Sequence, residues 1–308
     1  MASSCGHGWC ETKLKRTDAS SRYVCGREEA APVASTNMTD NNVRAAPRRG
    51  KLLLLTGHHA PPMLAGLGGW PMDERAMRVK EILGLRRLPI KIGFLDALPP
   101  SLARWSGGPV AAGCVFWDRA MEGKSFYTLP ADHWNCAVGS HTHKIALPAD
   151  RGNELASTIG FMVETRYLDA SEVPSIPTLD RAPAAVAYAP ASSDAFTADV
   201  VLVAVTPAQS TLVFEAALKA GIARGTADAS SRPSCAILPA SAKTEVVAIS
   251  FGCRGNRTFT TVGEDEMYVA IPGQRWDEFV DRLIEVQRSN LTMGNYYQAQ
   301  AAKFAASK

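Results

Sequence analysis

The run Asp199-Val-Val-Leu-Val-Ala-Val205 constrains the fold more than any other stretch of this sequence. Six consecutive apolar residues leave no face for water, so a strand built from them is covered on both sides. Thr206-Pro207 follows at once. A threonine hydroxyl caps the orphan N–H groups of a helix start, and proline fits the first helical position. Leu212, Phe214 and Leu218 then lead to Gly221, a residue suited to the left-handed conformation that closes a helix. A doubly covered strand feeding straight into a helix is a building unit of α/β proteins.

The rest of the chain repeats that alternation. Met77, Val79, Ile82, Leu83 and Leu85 predict a helix from Met72 that ends near Gly84, and Pro89–Leu95 alternates like a strand. A helix is expected over Asn153–Leu168, and strands over Ala184–Ala189, Glu245–Phe251 and Met267–Ile271. Trp276, Phe279, Val280, Leu283 and Ile284 share one face of a last helix. The expectation is α/β: a mixed sheet with flanking helices, in one domain over 72–290 with a polar, Ala-rich tail over 291–308.

Residues 1–71 read differently. Nine of the 33 Lys and Arg residues lie there against five acidic ones, so 72–308 is left at −1. A near-neutral folded part lacks the basic face that nucleic acid requires. Residues 1–50 are polar and show no period, which reads as a disordered leader; Cys5, His7, Cys10 and Cys25 are leader residues on this reading, not a metal motif. Met72 is a plausible alternative start. No run of about 18 apolar residues occurs, so no membrane span is expected. With no export signal recognised, a cytoplasmic, reducing location is expected, with free thiols available as ligands, nucleophiles or core residues.

Four of those thiols form a repeated pattern. Cys114-Val-Phe-Trp is followed after 21 residues by Cys136-Ala-Val-Gly, and Cys235-Ala-Ile-Leu after 17 by Cys253-Arg-Gly. Each first cysteine opens an apolar turn and each second one precedes a small-residue turn. This suggests an internal duplication bringing four thiols together across a pseudo-twofold axis. Cys253 is the strongest candidate nucleophile. It leaves a strand and enters Arg254-Gly-Asn-Arg257, where N–H groups and two guanidinium groups favour the thiolate. The same turn suits a carboxylate or phosphate; a plain buried cysteine is the alternative.

Asp132, His133, His141 and His143 flank Cys136. His141 and His143 share a side on a strand, a spacing metals use, and diverge on a helix; surface histidines are the ordinary outcome. Glu264, Asp265 and Glu266 read as solvated charges, with Glu266 a partner for Arg254 or Arg257. Trp117, Trp134 and Trp276 read as core. There is no Walker loop, strand-linked GxGxxG, GxSxG elbow or HExxH, so nucleotide-dependent and serine-hydrolase chemistry lack support.

A set of features in order resembles the domain-of-unknown-function family numbered 169. These are Leu83-Gly-Leu-x-x-Leu-Pro-Ile90, Cys114 with Gly123, Cys136-Ala-Val-Gly139, Asp199-Val-Val-Leu-Val with Thr206-Pro-Ala-Gln, Cys235, Ser250-Phe-Gly-Cys253-Arg-Gly-Asn-Arg257, and Glu266 before Ile271-Pro272. The resemblance spans roughly Met72 to Asn290. It implies a shared thiol or iron–sulfur role for Cys114, Cys136, Cys235 and Cys253; His141 and His143 depart from the family pattern. Three readings stay open. One is a metal or iron–sulfur protein, with zinc as the other metal, in which Arg254 and Arg257 orient a small anionic substrate. The second is a cluster-free enzyme with Cys253 as nucleophile. The third is a non-catalytic anion-binding protein.

Overall fold

A computed structural model describes residues 72–223, 229–230 and 233–306. The expectations for the leader and for Met72 as a start lie outside the described residues or at their margin. The first half carries α1 (Met72–Leu83), β1 (Ile90–Leu95), α2 (Val115–Met121), β2 (Phe126–Thr128), α3 (Ala137–Thr142), α4 (Glu154–Glu164) and β3 (Ala185–Pro190). Then come β4 (Val200–Val205), α5 (Pro207–Lys219), β5 (Ala229–Ser230), α6 (Ile237–Thr244), β6 (Ala248–Ser250), α7 (Arg254–Phe259), β7 (Met267–Pro272) and α8 (Trp276–Ala306). The protein is mixed α/β, as expected.

One sheet holds the seven strands in the order β2-β3-β1-β4-β7-β6-β5, antiparallel except for the short β5–β6 pair. β4 is buried at every residue, and its side chains alternate between two cores. Val201, Val203 and Val205 join α1, α5 and α8, while Val200, Leu202 and Ala204 join α2 and α6 on the opposite face. Thr206 caps α5 as expected: its hydroxyl accepts from the Gln209 N–H, and the Gln209 side chain returns to the Thr206 N–H at 2.7 Å. Gly221 then turns the chain with φ +68°, where a β-carbon would be strained.

The duplication is visible in the topology. β1–α2–β2–α3–β3 and β4–α6–β6–α7–β7 follow the same succession, and β2-β3-β1 in the sheet corresponds to β6-β7-β4. The insertions differ: α4 in the first half, α5 and β5 in the second. The halves meet through the antiparallel β1–β4 pair, with Ile90 opposite Leu202. A twofold axis normal to a sheet maps antiparallel neighbours onto each other and keeps each on its own face. Corresponding helices α2 and α6 therefore share a face, and so do the cysteines that precede them.

Three boundaries differ from expectation. The expected strand at Glu245 starts only at Ala248, because α6 runs to Thr244 and Glu245 closes it in the left-handed region (φ 54°). α4 ends at Glu164, and Arg166 takes φ 57°. α8 continues through the Ala-rich tail to Ala306. No helix among the described residues is long and apolar enough to cross a membrane.

Candidate functional site

The apolar and small-residue turns expected after the cysteines are helix starts. Cys114 immediately precedes α2, and Cys235 sits in a 3-10 turn, Ser234–Ala236, that runs into α6. Cys136 and Cys253 are the N-caps of α3 and α7, each Sγ accepting from the N–H three residues on, Gly139 or Asn256, at 3.4 Å in both cases. The same sulfur cap thus recurs in both halves, on different extended backbones: φ −131°, ψ 104° at Cys136 and φ −71°, ψ 164° at Cys253. Gly252 makes the second one reachable: at φ +82° it turns β6 into α7. The Cys253 N–H donates to Ser234 Oγ at 2.5 Å, tying that cap to the turn that carries Cys235.

All four thiols line a single cavity of about 310 Å³. None is in a disulfide. Burial pushes the Cys114 thiol up to about 12, and raises Cys136 and Cys235 as well. The thiols also act on one another. A charge on Cys253 or Cys136 would disfavour ionisation of Cys114, and Cys235 feels the other three. Without a cation between them, Cys114, Cys136 and Cys235 stay protonated at neutral pH. Among the described residues, no three His, Cys, Asp or Glu side chains form a ready-made site for a metal ion.

The histidines correct the surface expectation. α3 separates them: His141 is exposed while His143 is buried, 3% exposed, against Phe94 and His133. His133 and His143 both border the cavity. Burial lowers His133 to about 4, and burial with the neighbouring His133 lowers His143 to about 3, so both rings are neutral. His133 Nε2 meets Thr128 Oγ1 at 2.8 Å, whereas neither nitrogen of His143 has a hydrogen-bond partner among the described residues. Asn135 Oδ1 and Asn256 Oδ1, on residues that also line the cavity, are likewise buried and without a partner among the described residues. The sequence singles out His143 only for its spacing from His141, and the two asparagines carry no signal, since an asparagine near a cysteine reads as an ordinary polar position.

The two arginines part company. Arg257 donates to the carbonyls of Phe251, Gly263 and Glu266, holding the loop after α7, and does not border the cavity. Arg254 does border it. Its backbone N–H donates to Tyr167 Oη at 2.9 Å, and its guanidinium meets no carboxylate among the described residues. Glu266 is not a solvated charge: it is buried and faces Arg87 at 3.4 Å, with Asp118 of α2 on the other side of the same guanidinium at 3.6 Å. Asp265 pairs with Arg86 on the surface. Trp117 and Trp276 are core residues, and Trp134 is half-buried.

A family model described as uncharacterised ArCR, domain of unknown function 169, matches residues 78–282. The chain belongs to that family. The match contains all four cysteines and both halves of the duplication. No curated protein and no solved structure is significantly similar to the chain. In this member of the domain-169 family, the cavity is where the four cysteines of the matched region come together.

Proposed function

We propose that Cys114, Cys136, Cys235 and Cys253 hold a thiolate-ligated metal cluster, an iron–sulfur cluster foremost, in a cytoplasmic protein with redox or cluster-assisted activity on a small anionic substrate. The observation that carries this reading is that four thiols from four separate helix starts border one cavity. The donor set fits. Four cysteine thiolates are the usual ligands of such clusters, and binding would release the protons that burial holds on these thiols. The N-terminal ends of α3 and α7 also direct N–H groups at two of the sulfurs, and such bonds tune a cluster's potential.

When bound, an iron–sulfur cluster supplies one-electron transfer or an electrophilic iron. The chain's own residues do the rest. Apolar walls exclude water, neutral His133 and His143 offer donors and acceptors without charge, and Arg254 attracts anions at the rim. Zinc is the second reading. A single zinc needs four ligands at about 2.0–2.3 Å from one point. The nucleophile reading for Cys253 is weakened because Cys136 has the same cap and Arg257 is engaged elsewhere.

The test is iron and acid-labile sulfide content, with a visible spectrum, on the full chain purified without oxygen. Iron and sulfide in near-equal amounts, lost in each of the four Cys→Ser variants, is the expected result. Stoichiometric zinc without sulfide supports the second reading. Metal-free protein whose activity depends on Cys253 but not Cys114 returns the site to nucleophile chemistry.

A further inference from the structure

The thiols occupy only part of the cavity wall. α4, an eleven-residue helix with no fully buried residue, borders the same cavity. Its Glu154, Thr158, Ile159 and Met162 line it, with Glu154 held by Arg151 at 2.7 Å, and the chain beyond adds Leu168. Ile159 and Met162 are only half-buried, so in a cavity with largely apolar walls their contacts are left to be completed by whatever enters. Several polar groups that border this chamber are already paired, Glu154 with Arg151 and His133 with Thr128. Among the described residues, neither ring nitrogen of the buried His143 has a hydrogen-bond partner, and the exposed Arg254 borders the cavity with its guanidinium meeting no carboxylate. A buried polar side chain without a partner is costly. A neutral imidazole offers one donor and one acceptor, which suits an uncharged hydroxyl or carbonyl and not a second charge.

We propose that the α4 side of the cavity is a chamber for a small monocarboxylic acid with an otherwise apolar body that carries one hydroxyl or carbonyl group. Arg254 takes the carboxylate, the apolar body lies against Ile159, Met162 and Leu168, and His143 takes the uncharged polar group. This deepens the proposed function by naming a substrate class, and it rests on that reading only for what happens next to the thiols. Binding itself requires none of the four cysteines.

The probes are levulinate, which has a carboxylate and a ketone on a short chain, and valerate, its analogue without the ketone. Pentylamine and inorganic phosphate serve as controls. Affinities are measured by calorimetry on the full chain, in a preparation whose iron content is determined separately. Levulinate is expected to bind about tenfold more tightly than valerate, with no binding of the amine or of phosphate. Arg254→Gln should abolish binding of both acids and leave the iron content unchanged; the side chain is exposed, so the variant folds. His143→Phe should remove the preference for levulinate over valerate. Absence of binding by either acid overturns the proposal, as does phosphate binding as tightly as levulinate. Equal affinity for the two acids overturns the role given to His143. Loss of iron in the cysteine variants, or its absence throughout, bears on the cluster alone.

Discussion

At the scale of single residues, the cavity carries two opposite sets of proton equilibria. His133 is depressed to about 4 and His143 to about 3, both from 6.5. A group with a lowered folded pKa binds fewer protons folded than unfolded, so stability is lost as pH falls below 6.5. The loss continues to the folded value and amounts to about 3 kcal/mol for a shift like that of His133. Cys114 is raised from 9.0 to about 12. There the folded state holds the extra proton, and stability is lost as pH rises above 9.0 through the folded value. Metal-free protein should therefore be most stable between pH 6.5 and 9, read from urea unfolding across a pH series. His143→Phe should flatten the acid limb and leave the alkaline limb in place. The cysteines were legible because their pattern repeats. The role of His143 was not, because whether a ring is buried beside a cavity depends on which way a six-residue helix is turned.

At the scale of elements, legibility followed periodicity. β4, the Thr206 cap, α5 and the first turns of α8 each declare themselves through an apolar run, a cap residue or an i, i+3, i+4 stripe. α2 does not, since every residue but Arg119 is buried and a helix apolar on all sides has no stripe to read. α3 combines Gly139 with β-branched Val138 and Thr142, poor helix formers that only packing holds in place. Thr206→Ala should lower stability by about 1 kcal/mol, the usual value of a lost cap, measured by chemical denaturation. Arg87 joins α2, through Asp118, to the loop before β7, through Thr261 and Glu266. Arg87→Met leaves two buried carboxylates without their cation, and should cost about 3–5 kcal/mol. Because Asp118 lies on the helix that Cys114 precedes, the proposed cluster site predicts a lower iron content in the same variant at a temperature where the protein is still folded.

At the scale of the whole molecule, the second half of α8 stands apart. Leu291, Met293, Tyr296, Tyr297 and Phe304 are all exposed, whereas Trp276, Phe279, Leu283 and Val286 seat the helix in the core. Ending the chain after Asn290 should leave the melting temperature and the metal content unchanged. The pairing of the two halves has a consequence for how the site comes into being. β1 meets β4 across more than a hundred residues of chain, and closing so long a loop is slow. Each half contributes two thiols and neither holds a complete set. On the proposed function, metal capture would be a late event, gated by the docking of one half on the other. An ion arriving early would find only two of the proposed ligands and could leave again, so the chain would test its own folding before committing to a metal.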